Sequence, residues 1–156
     1  MIERKYSKDA THATQTLTTI IQAKKEAVFH YLATTEGISS WFPQLSIADE
    51  ASEKSIVFDL GDGAVEKMAL YDYITNEHIA FEWATGKVEF HLEETNEGTK
   101  LILTETMPLN FTAIVPDFTG WFIQMTNVKS VVETGHAAKI DKEIIQRIQS
   151  EVKAAY

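Results

Sequence analysis

The chain of 156 residues has no cysteine, three prolines and seven glycines, and only 14 lysines and arginines against 23 aspartates and glutamates. Without cysteine, disulfides, thiolate metal sites and cysteine nucleophiles are excluded. So little proline and glycine argues against a disordered or fibrous chain. The formal net charge of -9 would repel a polyphosphate backbone, so we expect no nucleic-acid partner.

Long apolar runs are also missing. No uninterrupted run approaches the roughly 18 residues that a membrane helix needs. Residues 1–13 carry Glu3, Arg4 and Lys5 where a signal peptide requires an apolar core. We therefore expect a cytoplasmic protein with no membrane span, in which residues 1–13 form a polar leader.

The linear motifs of catalysis and metal binding are absent from the sequence. It contains no His-Glu-x-x-His run, no Gly-x-Ser-x-Gly elbow and no glycine-rich phosphate loop. His91 shares the outward face of a predicted strand with Glu89 and Glu93, which favours a solvated cross-strand arrangement over a metal site. We predict no catalytic residue, no metal and no cofactor, although groups assembled only in three dimensions would escape such a search.

The first third of the chain predicts one strand and two short helices. Residues 14–22 are rich in β-branched side chains, which favour a pleated strand. Apolar residues then recur at helical spacing over residues 24–33. A second helix is predicted over residues 36–41, because Pro43 stops it.

The middle of the chain predicts an antiparallel meander. Turn residues at Asp62-Gly63 and Asn96-Glu97-Gly98 separate strand-like runs. The runs cover residues 55–60, 65–73, 78–84, 87–94 and 100–107. Within them, apolar and polar residues alternate, so one face of the sheet should be apolar and the other hydrated.

Two amphipathic helices are predicted after the sheet. Beyond Pro116, Trp121 and Met125 begin an apolar stripe that could cover the sheet, and Gly135 has the character of a helix cap. A second stripe lies in a C-terminal extension, residues 136–156. Its members are Ile140, Ile144, Ile148 and Val152.

Residues spread along the chain resemble the landmarks of a known family. They are Ala27-Val28-Phe29, Glu36 with Trp41-Phe42, Phe81-Glu82-Trp83, Gly98-Thr99 with Leu101, and Gly120-Trp121. In this order and spacing they resemble the activator of heat-shock ATPase homologue family, within the superfamily of START-type lipid carriers and birch-pollen-allergen-like proteins. The resemblance implies an α+β helix-grip fold over residues 14–135, with a curved antiparallel sheet wrapped on a long C-terminal helix.

The same resemblance implies a cavity between the sheet and the long helix. We expect it to bind a small hydrophobic or aromatic ligand, lipid-like or polyketide-like, with a role in the stress response. The expected ligand-binding residues are Trp41, Phe42, Phe58, Tyr71, Phe81, Trp83, Phe90, Trp121, Phe122 and Met125. Polar groups that could orient the ligand are Tyr71, Tyr73, Thr104 and Gln124. The alternative for each ring is an ordinary place in the core.

Other functions stay open. The family name implies a co-chaperone-like interaction module with a chaperone partner. Some helix-grip relatives are cyclases or hydrolases, which leaves an enzyme as a further alternative. The C-terminal stripe should pack on its own domain, or else pair with a second copy in a homodimer.

Overall fold

The computed structural model describes residues 1–50 and 53–156. In this part of the chain, eight strands form one sheet and four helices accompany it. The elements follow one another as β1 (Glu3–Lys8), β2 (His12–Ile21), α1 (Lys25–Ala33), α2 (Thr35–Ser39), β3 (Leu45–Glu50), β4 (Glu53–Gly61), β5 (Ala64–Ile74), β6 (His78–Trp83), β7 (Gly86–Thr95), β8 (Gly98–Pro108), α3 (Ile114–Thr134) and α4 (Lys142–Ala155).

The sheet has the strand order β1-β2-β8-β7-β6-β5-β4-β3, and every neighbouring pair is antiparallel. The register shifts between Asp59 and Gly61 in β4 and between Leu70 and Asp72 in β5. Such irregularities bend a strand and increase its twist. They lie in β4 and β5, on the side of the sheet that ends at β3.

One face of the sheet is apolar because side chains alternate along the strands. In β8, Leu101, Leu103, Glu105 and Met107 are fully buried, and the alternate residues Ile102, Thr104 and Thr106 are half-buried. Helix α3 covers this face with Trp121 and Met125. The result is the predicted α+β helix-grip fold. Among the residues described, no helix combines the length and apolar character needed to cross a membrane.

Helix α3 begins and ends close to the predicted positions. It starts at Ile114, two residues before Pro116. Proline is accommodated in the first turn of a helix, because the N–H group that it lacks would have no helical partner there. It ends at Gly135, whose φ of 81° is the left-handed conformation that glycine adopts without strain. The short helix α2 ends at Ser39, slightly before the predicted end at residue 41.

Two edge strands were missing from the sequence prediction. Strand β1 lies within the residues expected to form a polar leader, and it pairs with β2 from Glu3↔Thr18 to Lys8↔Ala13. Strand β3 lies at the other edge of the sheet and pairs with β4. Strand β1 carries polar side chains on both faces, so it lacks the alternation by which strands are recognised.

Helix α4 packs on its own chain, which is the first of the two alternatives stated for the C-terminal stripe. Ile148 and Val152 are buried, whereas Ile144 remains 36% exposed. Glu151 accepts two hydrogen bonds from Arg4 of β1, at 2.7 Å from Nε and 2.8 Å from Nη2. This paired geometry ties the last helix to the first strand.

Candidate functional site

The indole ring of Trp121 lies at the centre of an aromatic cluster between α3 and the sheet. The ring centroids surrounding it are those of Trp83 at 5.0 Å, Phe42 at 5.8 Å, Phe81 and Phe90 at 6.2 Å, and Trp41 at 6.4 Å. Their planes are tilted or perpendicular to that of Trp121. Such edge-to-face contacts stabilise aromatic pairs beyond the area they bury.

The cluster forms where three parts of the chain converge. Phe81 and Trp83 alternate on the inner face of β6, and Phe90 lies on the inner face of the neighbouring strand β7. Trp41 and Phe42 follow α2, and the indole Nε1 of Trp41 donates a hydrogen bond to a backbone carbonyl of α1 at 2.7 Å. Backbone position therefore fixes most of these rings.

Two further predicted ligand-binding residues belong to the same region. The ring of Phe58 lies 5.5 Å from that of Trp83 and 5.9 Å from that of Phe42. Met125 is fully buried one helical turn after Trp121. The structure thus brings together eight of the ten residues expected at the ligand site.

The remaining two lie elsewhere. Phe122 points towards β1, where the guanidinium of Arg4 lies 5.8 Å from the centre of its ring. Tyr71 is 57% exposed. It occupies the position in β5 at which the register shifts between Leu70 and Asp72.

The predicted polar residues also separate. The hydroxyl of Tyr73 donates to the carbonyl of Ala33 at 2.9 Å, which joins β5 to the end of α1. Thr104 alternates with the buried Leu103 and therefore faces outwards. Gln124 lines a pocket beside the aromatic cluster.

Two small cavities flank the side chain of Trp83. The first has about 150 Å³ and is lined by Phe42, Trp83, Pro116, Asp117, Gly120, Trp121 and Gln124. The second has about 260 Å³ and is lined by Phe58, Leu60, Glu66, Met68, Trp83, Ala84 and Asp117. Each is smaller than the ~300 Å³ at which ligand pockets usually begin, so the interface between helix and sheet is largely filled. Trp83 and Asp117 are common to both cavities.

Larger clefts lie away from the aromatic cluster. One of about 580 Å³ lies over β4 and β5, and charged side chains such as Glu53, Lys54 and Glu82 contribute to its walls. Another of about 800 Å³ lies between β1 and α4. Neither combines clustered rings with convergent buried polar groups, which are the marks of a specific small-molecule site. We therefore place the candidate site at Trp83 and Trp121.

Two residues that line these cavities, Asp117 and Trp121, carry buried polar atoms. The indole Nε1 of Trp83 donates a hydrogen bond to Oδ1 of Asp117 at 2.9 Å. Among the described residues, the buried Nε1 of Trp121 has no hydrogen-bond partner, and the buried Oδ2 of Asp117 has no donor apart from the neighbouring carboxyl group of Glu105. A buried polar group without a partner is costly and uncommon in folded proteins.

A buried carboxyl group lies behind this pocket. Glu105 of β8 is fully buried, and its Oε1 accepts a hydrogen bond from Nε2 of Gln15 at 3.0 Å. Burial raises the pKa of Glu105 well above its usual range, and the hydrogen bond and charge of Asp117 raise it further. A protonated Glu105 can donate a hydrogen bond to Asp117, whereas two ionised carboxylates could only accept.

Sequence reasoning missed Glu105, Gln15 and Asp117. A signal for Glu105 was present, because it occupies an inward position in the alternation of β8. Gln15 is its direct cross-strand partner in β2. Their meeting with Asp117 depends on how α3 lies on the sheet, which no local pattern records.

Comparison with known proteins supports the fold. No protein-family model matches the chain, and no curated protein matches it. Among solved structures, a conserved protein of unknown function, EF2215 from Enterococcus faecalis, has 28% identity and a TM-score of 0.87, covering 99% of this chain and 92% of its own.

Two other similar structures are more distant in sequence. The Aha1 dimer from Colwellia psychrerythraea has 18% identity and a TM-score of 0.66, over 78% of this chain and 97% of its own. DynU16, a protein in the dynemicin biosynthetic locus, has 18% identity and a TM-score of 0.65, over 81% of this chain and 49% of its own. At this identity the likeness establishes the helix-grip fold, and the predicted resemblance holds at that level.

Proposed function

We propose that the protein binds a small, flat, hydrophobic molecule between α3 and the end of β6. The observation that carries this proposal is the indole N–H of Trp121, which is buried within an aromatic wall and has no partner among the described residues. A ligand oxygen placed there would accept the missing hydrogen bond. Because an unsatisfied buried donor costs about 1–3 kcal/mol, such an oxygen would add both affinity and orientation.

The adjoining polar atoms narrow the chemistry of the ligand. Oδ1 of Asp117 accepts its hydrogen bond from the indole N–H of Trp83, so a ligand hydroxyl that displaced this indole could donate to Asp117. The same ligand would then present an acceptor to Trp121 and a donor to Asp117. A polyketide-like or other aromatic compound with neighbouring carbonyl and hydroxyl groups meets both requirements, and a fatty acid chain meets neither along its length.

Binding requires Trp83 to move. Its side chain separates the two cavities, and joining them would give a volume at the lower end of the usual range for ligand pockets. Trp83 is only half-buried, and a single hydrogen bond to Asp117 holds its ring edge. A ligand hydroxyl that replaced Trp83 as the donor to Asp117 would release the indole.

The fold of a similar protein is compatible with this role. DynU16, a protein in the dynemicin biosynthetic locus, has a similar fold over 81% of this chain. The support is general, since its identity to this chain is 18%. The chemistry proposed here depends on Trp83, Asp117 and Trp121.

The three tryptophans allow a direct test by NMR, because each contributes one indole N–H signal. The indole of Trp41 donates to a backbone carbonyl, that of Trp83 to Asp117, and that of Trp121 has no partner among the described residues. Titration with flavonoid-like compounds and aromatic polyketides should shift the signals of Trp83 and Trp121 and change that of Trp41 least, whereas fatty acids should leave all three in place. A full panel that leaves both signals in place contradicts the proposal.

Matched variants check where the ligand binds. A Cβ added at Gly120 would meet no described atom within 4 Å, so Gly120→Leu should fill the first cavity and abolish the shifts. Ser150→Leu places the same side chain on the exposed face of α4 and should leave binding unchanged. Gly120→Ala provides a smaller obstruction if the leucine variant does not fold. Equal ligand affinity in Gly120→Leu and the parent protein would remove this pocket from consideration.

A second candidate is an enzyme that transfers a proton to or from the same ligand. The buried Glu105 carries a raised pKa beside Asp117, which lines both cavities. A neutral acid next to a carboxylate is an arrangement suited to general acid–base chemistry. Mass spectrometry of a bound ligand would reveal turnover, which Glu105→Gln should abolish while leaving binding intact. Turnover that persists in this variant would exclude Glu105 from the chemistry.

A further inference from the structure

Two histidines and a glutamate meet on the outer face of the sheet, away from the aromatic cluster. His78 of β6 and His91 of β7 are direct cross-strand partners, and Glu89 precedes His91 by two residues on the same face of β7. The imidazole rings are stacked, with centroids 4.0 Å apart and planes at 19°. The side chain of His78 is 13% exposed, that of Glu89 18% and that of His91 49%.

The distances between these groups suit metal coordination. Oε1 of Glu89 lies 3.2 Å from Nε2 of His78 and 3.6 Å from Nε2 of His91. In a tetrahedral zinc site with bonds of about 2.0–2.1 Å, neighbouring ligand atoms are about 3.4 Å apart. One ligand atom from each of the three residues already lies within 4.8 Å of the others. A rotation of the half-exposed His91 ring would direct both nitrogen lone pairs to a common point.

Asp72 completes the arrangement from the second layer. Its Oδ2 lies 3.2 Å from Nδ1 of His78, so an N–H at Nδ1 would be donated to this carboxylate. Nε2 of His78 then carries a lone pair and faces Oε1 of Glu89, which is also an acceptor. Two acceptors at 3.2 Å need a proton or a metal cation between them. A carboxylate that orients a histidine from behind is the usual support of a protein-bound zinc ion.

We propose that His78, Glu89 and His91 form a binding site for a divalent transition-metal ion, with zinc the best match and water as the fourth ligand. Asp72 is the positioning residue. The two histidine nitrogens and a single carboxylate oxygen favour zinc, cobalt or nickel over magnesium or calcium, which prefer shells of oxygen. The site goes beyond the proposed ligand function, because it lies on the opposite face of the sheet.

Lys87 sets the strength of this site. Its Nζ lies 3.1 Å from Oε2 of Glu89, which leaves Oε1 directed at the histidines. The ammonium charge lies close to the proposed ion and opposes its binding. Lys87→Met should therefore tighten metal binding, whereas a histidine cluster that only holds a proton would show no such effect on a metal.

The test is titration of chelator-treated protein with zinc chloride by calorimetry and with cobalt chloride by visible absorption. We expect one ion per chain in the parent protein and no binding of magnesium. His78→Ala, His91→Ala and Glu89→Gln should each weaken zinc binding at least tenfold. Asp72→Asn should weaken it about 10–100-fold, the range found for second-layer partners of metal ligands.

His136→Ala is the matched control, because His136 lies on the exposed surface after α3 and should leave the affinity unchanged. Circular dichroism and the indole N–H signals verify that each variant is folded, and the exposure of His91 makes its replacement the mildest. Zinc binding that is absent from the parent, or equal in His91→Ala and His136→Ala, would overturn the proposal. The three residues would then form a proton-sharing cluster without a metal.

Discussion

The indole Nε1 of Trp83 donates a hydrogen bond to Oδ1 of Asp117 at 2.9 Å, so one contact joins the end of β6 to the first turn of α3. A hydrogen bond to a carboxylate is stronger than one between neutral groups. In the proposed binding mode, ligand entry must break this bond, so the stability of the contact and access to the pocket would be coupled.

A double-mutant cycle measures this link. Trp83→Phe keeps an aromatic ring but removes the donor, and Asp117→Ala removes the acceptor. We expect each variant to unfold more easily in urea, with a coupling energy of about 1–2 kcal/mol, near the lower range for hydrogen bonds to charged groups because Trp83 is half-buried. A coupling energy of zero would show that the contact does not hold α3 against β6.

Replacing a glycine by alanine should change the free energy of unfolding in opposite directions on the two sides of this contact. Gly120 lies inside α3, where an added Cβ would meet no described atom within 4 Å. Gly120→Ala should raise the free energy of unfolding by about 0.5–1 kcal/mol through helix propensity. Gly86 opens β7, where a Cβ would collide with the carbonyl oxygen of Thr106 and the sulfur of Met107.

Gly86→Ala should therefore lower the free energy of unfolding by about 1–3 kcal/mol, the usual cost of overpacking. Urea unfolding of both variants provides the comparison, since the chemical change is the same methyl group. A stable Gly86→Ala protein would mean that β7 and β8 can separate locally at little cost.

Alternation and helical spacing were enough to predict the inner face of the sheet and the apolar stripe of α3. Those patterns are local, because a strand repeats every two residues and a helix every 3.6. Tyr71 and Phe122 lie away from the other predicted ligand-binding residues, for two geometric reasons. Tyr71 lies where the register of β5 shifts, so parity along the strand is lost. Phe122 follows Trp121 directly, and adjacent residues on a helix point about 100° apart.

The polar features of the protein depend on contacts between distant segments. Glu105 meets Gln15 across 90 positions, and His78 meets His91 through the pairing of two strands. The expectation of a solvated cross-strand arrangement at His91 rested on Glu89 and Glu93 of β7 and did not include His78 of β6. Such pairings follow from strand register, which a search for linear motifs does not examine.

The buried Glu105 predicts a pH-dependent stability. Its pKa is raised in the folded protein, chiefly by burial and then by Asp117, so the neutral form is favoured there. The stability that the protonated Glu105 contributes is fully present below the unfolded pKa of about 4.3, and it is lost as the pH rises through the folded pKa. Glu105→Gln cannot ionise and retains a similar shape.

The variant should consequently gain stability relative to the parent as the pH rises. We expect the difference in free energy of unfolding between variant and parent to be larger at pH 8 than at pH 5. Urea unfolding at both pH values measures it. A difference that is equal at the two pH values would mean that Glu105 titrates as it does in the unfolded chain.

Helix α4 allows a comparison between two isoleucines of one stripe. Ile148 is 1% exposed and Ile144 36% exposed. Ile148→Ala removes buried methyl groups and leaves a cavity, so the free energy of unfolding should fall by about 2–4 kcal/mol. Ile144→Ala should change it by roughly 0.5 kcal/mol or less, because its side chain loses little contact.

If α4 instead served to join two copies through its outer side, Ile144→Ala would change the mass measured by light scattering while Ile148→Ala would not. An unchanged mass in Ile144→Ala, together with the loss of stability in Ile148→Ala, is the result that the contacts of α4 with its own chain predict.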